Sequence, residues 1–301
     1  MVASWTRSSR AGRRKRRPPA PPRARTPDRL FVLGRGNLGQ SLERAFRAAG
    51  QLTSLVPGRT PFIKPPPSGV VFLAVPDQAV EEVAAKLARL KPSRRLSFVH
   101  VSGAFGLGAL DALRDQPVGS FHPLQSFPAM RGPSAFRGIT VAVDASTPAL
   151  MRRLRSLARA VGANPRRVGD DDRVLYHAAA VYASNFVDVV VAEAVRLLGE
   201  LGWSEADATQ ALLPLVEGAV AGIRERGPVK ALTGPIRRGD TETVRRHLEA
   251  LDGLDRGADY RMLGKIALEI AVEAGLEPAA AGRMHRALTE KPASTRRRRR
   301  K

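Results

Sequence analysis

The chain has 301 residues, 43% of them hydrophobic, which is enough for two domains that each bury a core. It has no cysteine, which excludes disulfides, thiolate metal sites and thiol catalysis and agrees with a reducing, cytoplasmic setting. The net charge of +22 suggests nucleic-acid binding, but residues 1–28 hold nine Arg/Lys against one acid and residues 291–301 hold seven against none, so the remainder stands at only +7.

These two ends are Pro/Arg-rich and too polar to fold, so 1–28 and 291–301 read as disordered basic extensions. The N-terminal one also has the composition of an organelle transit peptide, and it lacks the apolar core of a secretory signal. No run of 18 apolar residues exists, so no membrane span is expected. Only eight of the 50 basic residues are lysine, a bias toward arginine that runs through the whole chain.

Arg29–Leu33 reads as a strand and Asn37–Ala49 as an amphipathic helix. Between them stands Gly34-Arg35-Gly36-Asn37-Leu38-Gly39, a glycine spacing that makes a dinucleotide-binding turn when a strand precedes it and a helix follows. The first glycine allows the tight turn, the second lets the backbone approach a pyrophosphate, and the third lets helix pack on strand. The helix start then supplies N–H groups to the anion. Leu52–Val56 is a short second strand. The residue after such a strand contacts the adenosine ribose, and an acid there would suit NAD. The chain instead has Arg59 in a proline-rich loop, which favours the 2′-phosphate of NADP.

Val70–Val75 is a continuous apolar run, as a buried parallel strand requires. Ala74-Val75-Pro76-Asp77 at its end suits a loop over the nicotinamide ribose, and Asp77 also suits a cap for a helix over Gln78–Leu90. Leu96–Val101, Val118–Phe121 and Ile139–Val143 are further strands, and Pro148–Val161 is a helix. Ser102 and His122 follow two of these strands, at the carboxyl edge where ligands bind in such sheets. The imidazole of His122 is placed to exchange a proton with a carbonyl or hydroxyl group, or else is a satisfied loop group.

After Gly169 the strand signal stops. A long helix is expected from Asp170 to about Leu201, with acids suited to its dipole at the start. At 100° per residue it sets His177, Val181, Ser184 and Asn185 on one broad face, which serves a ligand or an interhelical contact. Glu205–Arg226, Thr241–Leu251, Asp255–Ala274 and Glu277–Leu288 complete an all-helical half. The fold class is therefore α/β, a doubly wound, mostly parallel Rossmann-type sheet over 29–168, followed by an all-helical domain over 169–290.

The segments Leu33–Gly39, Ala74–Asp77, His100–Ala104, His122–Phe127, Tyr176–Asn185, Leu232–Pro235 and Arg238–Asp240 resemble the two-domain NADP-dependent dehydrogenases of the 6-phosphogluconate dehydrogenase superfamily. That group includes pyrroline-5-carboxylate reductase, ketopantoate reductase and prephenate dehydrogenase. The best resemblance is to an uncharacterised branch, a Rossmann-like domain followed by a helical domain of unknown function, over about residues 29–290.

The resemblance implies an NADP-dependent oxidoreductase acting on a small, polar, carboxylate-bearing metabolite, with the helical domain forming a homodimer. Ser102 and His122 resemble the active-site pair of prephenate dehydrogenases, and the helix asparagine matches Asn185. Several members carry a catalytic lysine four residues before that asparagine. This chain has Val181 there and no lysine between Asp171 and Leu201. The proton role then falls to His122, with His177 as alternate, or else the protein binds NADP without turnover. No metal is expected. Nucleic acid is expected only non-specifically, through the tails.

Overall fold

The computed structural model describes residues 29–58 and 64–290. Arg59 lies outside the described residues. The described chain divides into two compact units, at Phe186/Val187.

The first unit is a seven-stranded sheet flanked by helices. Its elements are β1 (Leu30–Leu33), α1 (Asn37–Ala48), β2 (Thr53–Val56), β3 (Gly69–Leu73), α2 (Val80–Arg89), β4 (Leu96–His100), β5 (Val118–Pro123), β6 (Thr140–Ala145), α3 (Pro148–Ala160), β7 (Asn164–Arg167) and α4 (Asp170–Ala183). The strand order is β2-β1-β3-β4-β5-β6-β7. All neighbours are parallel except β5 and β6, where Gly119–Pro123 runs against Val141–Ala145. This is the expected Rossmann-type α/β unit with one antiparallel step. The strand order reverses at β1, so β1 and β3 flank a switch point.

The apolar runs of β1 and β3 form strands because both their faces are covered. Leu30, Val32 and Phe72 pack with Leu42 and Phe46 of α1 on one side. Leu33, Val71 and Leu73 pack with Val80, Val83 and Leu87 of α2 on the other. The rings of Phe46, Phe72 and Phe121 lie 5.0–5.9 Å apart and tie α1 to the sheet centre.

Two departures from the sequence reading bear on the site. The helix expected from Asp170 to Leu201 is broken at Ser184 (φ −130°, ψ −78°), and α5 (Asn185–Gly199) starts afresh. The single face drawn through His177, Val181, Ser184 and Asn185 therefore does not persist. The division into units also falls 18 residues later than the boundary read at 168/169, because α4 is anchored to the sheet unit by its own side chains.

The second unit holds the rest of α5, α6 (Glu205–Ala231), α7 (Gly234–Arg238), α8 (Thr241–Asp252), α9 (Gly257–Glu273) and α10 (Pro278–Thr289). Helix α6 is interrupted at Gly227 (φ 76°, ψ 164°), just before Pro228. Val244, Leu248, Leu268, Met284 and Leu288 make a small core for α8, α9 and α10. Arg261 grips Asp252 with two bonds of 2.6 Å. Helix α5 and the outer face of α6 leave Val189, Val190, Leu215 and Ile223 exposed. By length and composition, Asp170–Gly199 is one helical stretch apolar enough to cross a membrane, although no run of 18 apolar residues occurs in it. It is interrupted at Ser184, and Arg173 near its start is buried.

The glycine turn tolerates no side chain at two of its positions. Gly34 has φ +125°, and a Cβ there would sit 2.0 Å from the carbonyl oxygen of Ala74. A Cβ on Gly39 would meet the carbonyl oxygen of Gly34 at 2.2 Å. Gly34→Ala combines a disfavoured φ with a backbone clash and is expected to cost roughly 2–4 kcal/mol in urea unfolding. An unchanged unfolding midpoint would contradict this account of the turn.

Candidate functional site

The turn after β1 presents an open backbone. Gly36 precedes the first residue of α1, its missing Cβ would face nothing within 4 Å, and the first helical turn carries neither an acid nor a side-chain cap. The first N–H groups of the helix are thus left for an anion. Asn37 does not compete for that space. Its Nδ2 donates to the carbonyl oxygens of Phe127 and Pro128 at 3.2 and 2.8 Å, which draws the loop after β5 against α1. Ser41 extends the tether, since Arg131 N donates to its Oγ at 2.8 Å. Arg35 is exposed, with its carbonyl held by Gln40. Leu38 packs on the core, as does Ala74.

Val75 packs on the other side of the sheet. Pro76 and Asp77 are exposed. Asp77 opens a short 3-10 turn and caps nothing, so the capping role considered for it is not realised. These residues lie where a dinucleotide would run, along the carboxyl edge of β1 and β3.

Further along that edge, β4, β5 and α4 assemble a second group. His122 is half-buried near the end of β5, and its Nδ1 lies 2.8 Å from the hydroxyl of Tyr176 on α4. His177, the next residue of α4, stands 6.2 Å away ring to ring. Both imidazoles converge on Gly103. A Cβ at that position would lie 2.7 Å from His122 Nε2 and 2.7 Å from His177 Nδ1. Glycine is required here by close approach. The structure therefore brings His122 and His177 together.

Arg173 fastens this cluster. The residue is 1% exposed. It donates to the Ser102 carbonyl at 3.3 Å and to Ser120 Oγ in a short contact, while its Nε has no partner. Among the described residues, no carboxylate lies within ion-pair distance of it. Asp170 instead accepts from Leu107 N at 3.0 and 3.1 Å, pinning the start of α4 to the loop after β4.

Ser102 is 3% exposed, and its Oγ accepts from the backbone N–H groups of Ala104 and Phe105 at 3.2 Å, so its hydroxyl shapes the turn that carries Gly103. Asn185 is the exposed first residue of α5, and its side chain makes no hydrogen bond among the described residues.

Burial holds His122 down at a pKa of about 4, with help from His177, Arg173 and His100. Burial, then Arg173, does the same to His100, whose Nε2 meets the Gly106 carbonyl. Burial pushes Tyr176 up to about 12 against the pull of Arg173. At neutral pH the site therefore holds uncharged His100 and His122 beside one buried cation.

Residues 139–267 match the family model of a domain of unknown function, DUF2520. The match and the fold fit the uncharacterised two-domain Rossmann-type family that the sequence resembles. No curated protein matches the chain by sequence. Among solved structures, a Thermotoga maritima protein aligns with a TM-score of 0.66 at 21% identity, over 82% of this chain and 99% of its own. A Bacteroides fragilis protein described as a “putative NADP oxidoreductase” aligns at 0.64 and 20% identity, over 82% and 97%. A Plasmodium falciparum pyrroline carboxylate reductase, solved with NADP bound, aligns at 0.52 and 12% identity, over 87% and 100%. At these identities the likeness is one of fold.

Tyr176, Arg173, Ser120 and Gly103 were not assigned roles from sequence.

The depressed histidines make stability depend on pH. The unfolded chain takes up these protons near pH 6.5 and the folded chain only near 4, so the folded form binds fewer protons between those values. Stability is full above pH 6.5 and falls as pH drops toward 4, by up to about 3 kcal/mol for each ring. Urea unfolding from pH 7.5 to 5 should show the decline, and a flat profile would mean the two rings are solvated.

Proposed function

We propose that the protein is an NADP-dependent oxidoreductase that exchanges a hydride with a small, polar, carboxylate-bearing metabolite. The observation that carries this reading is the pairing, on one sheet edge, of an unobstructed glycine turn with a convergent His122–His177–Tyr176 group. Asn37 links the two, because it holds the loop that leaves His122. The turn would hold the pyrophosphate, and Ala74–Asp77 would line the nicotinamide side. Arg59 would pair with the 2′-phosphate. A bound nicotinamide supplies or accepts a hydride. The chain supplies the matching proton from His122, with His177 positioning the substrate. Support for an anionic substrate comes from the field of Arg173, a buried cation beside the His122 group with no carboxylate in ion-pair range among the described residues. Asn185, exposed and without a side-chain hydrogen bond among the described residues, would orient that substrate.

Calorimetry should find NADP(H) bound at least ten-fold more tightly than NAD(H), since a charge-assisted contact to phosphate contributes about 1.5–3 kcal/mol. Equal affinities would reject the role of Arg59, and failure of both cofactors to bind would reject the reading as a whole. A screen of 2-oxo acids, cyclic imines and hydroxy acids should reveal turnover. His122→Asn should then lower kcat roughly 10²–10⁴-fold with NADP affinity unchanged. His177→Asn should raise KM more than it lowers kcat. NADP binding with no turnover across the screen would favour a cofactor-binding module without catalysis.

The helical unit would also form a homodimer. Its support is the apolar surface left open on α5 and α6, including Val189 at 60% and Leu215 at 69% exposure, beside a groove lined by Val191, Val195, Trp203 and Leu213. Light scattering at micromolar concentration should give twice the chain mass, and a monomer would refute it.

A further inference from the structure

His122 has one polar side-chain partner among the described residues, the hydroxyl of Tyr176, 2.8 Å from Nδ1. The two rings meet edge-on, with centroids 5.6 Å apart at 90°. A phenol is a stronger donor than a neutral imidazole, and an imidazole nitrogen is a stronger acceptor than a phenol oxygen. The proton in this bond therefore sits on oxygen. That order leaves Nδ1 without its own hydrogen and places the ring proton on Nε2. Nε2 points toward Gly103, whose missing Cβ leaves room for His122 Nε2 and His177 Nδ1 on the same side of the turn.

We propose that Tyr176 is the positioning residue of the proton path: its hydroxyl donates to His122 Nδ1, fixes the proton on Nε2, and refills Nδ1 when Nε2 gives its proton to the substrate. This rests on the oxidoreductase reading. The balance for reduction of a carbonyl is one hydride from a reduced nicotinamide to carbon and one proton from Nε2 to oxygen. As the Nε2–H bond breaks, the O–H bond of Tyr176 breaks and an N–H bond forms at Nδ1. His122 ends neutral in its other tautomer, and the negative charge rests on the Tyr176 oxygen. Water returns that proton after product leaves.

The path also gives Arg173 a task. It lies one helical turn before Tyr176, is 1% exposed, and keeps one nitrogen without a partner. Asp144 and Asp170 act on it only at longer range, and a buried guanidinium with no ion-pair partner among the described residues gains from a negative charge that forms close by. A tyrosinate at Tyr176 would be that charge, formed only in passing, because burial holds the phenol proton on against the pull of Arg173. The other titratable groups around the pair are His100 on β4, His177 and Asp170 on α4, and Asp144 on β6. Because imidazolium at His122 is disfavoured near neutrality, a neutral ring that passes a proton through serves where a charged one is scarce.

The test needs no substrate. In the full-length protein labelled with ¹⁵N-histidine at pH 7.5, long-range proton–nitrogen spectra report which ring nitrogen carries hydrogen. His122, assigned with His122→Gln, should be the Nε2–H tautomer with Nδ1 accepting a hydrogen bond. Tyr176→Phe should convert it to a mixture of tautomers while leaving His247, which makes its own 2.8 Å contact to Tyr260, unchanged. A wild-type ring protonated on Nδ1, or charged, overturns the proposal. So does a Tyr176→Phe spectrum identical to wild type. If that variant does not fold, the wild-type spectrum alone decides. Calorimetry of NADP on the same samples reports separately on the oxidoreductase reading. With a substrate in hand, Tyr176→Phe should lower kcat by about 10²-fold at unchanged KM, and full kcat would overturn the relay.

Discussion

The guanidinium of Arg173 joins three elements that would otherwise end independently. From α4 it reaches the carbonyl of Ser102 after β4 and the hydroxyl of Ser120 in β5. The ends of two parallel strands and one helix are thereby set in a single register. The geometry of Gly103, His122, His177 and Tyr176 follows from that register, because Gly103 lies in the turn after β4 and the others sit on β5 and α4. Asp170 adds a second anchor by accepting from Leu107 N, so α4 is held at two points less than a turn apart. A charge this deeply buried contributes little to stability, since its desolvation offsets what its hydrogen bonds return. Its effect is on arrangement and on the local field, which adds to burial in depressing the two nearby histidines and favours anions.

The glycine turn solves a different problem with backbone alone. Gly34 and Gly39 are fixed by close contacts, one against Ala74 and the other against the Gly34 carbonyl, whereas Gly36 faces open space. Only the last of these is available to a ligand. The Asn37 side chain, which could have capped the helix, is spent on the loop at Phe127 and Pro128. The loop that follows His122 is consequently fastened to the helix whose N-terminus would carry the pyrophosphate, and the two halves of the site share one rigid edge.

What could be read from the sequence was what is local and apolar. β1, β3 and α1 announce themselves through continuous apolar runs, a 3.6-residue period and glycines whose spacing has one structural use. β7 did not, because Asn164-Pro165-Arg166-Arg167 has no apolar side chain to bury; it is an edge strand held by pairing with β6 and by Arg167 on Asp144. The break at Ser184 carries neither proline nor glycine, so a periodic pattern ran straight through it. His122 and His177 were found by their place after a strand and on a helix face. Arg173 was not, because a lone arginine on an arginine-rich chain gives no local sign that it will be buried. Tyr176 stood beside a histidine already noticed and was given no role, since its contact with His122 spans 54 residues. Arg59 lies outside the described residues, so its role rests on sequence alone.

The valine at 181 is coherent with this chemistry. In several of the dehydrogenases that the sequence resembles, a catalytic lysine stands at this position. Here the same helix, one turn before 181, presents His177, and one turn before that the buried Arg173. With one fixed cation in place, proton transfer suits groups that are neutral at rest. An imidazole and a phenol meet that condition. On the proposed reading, a hydrogen-bonded imidazole–phenol pair would stand in for an ammonium as the acid, and the buried cation would offset the charge that the pair leaves behind.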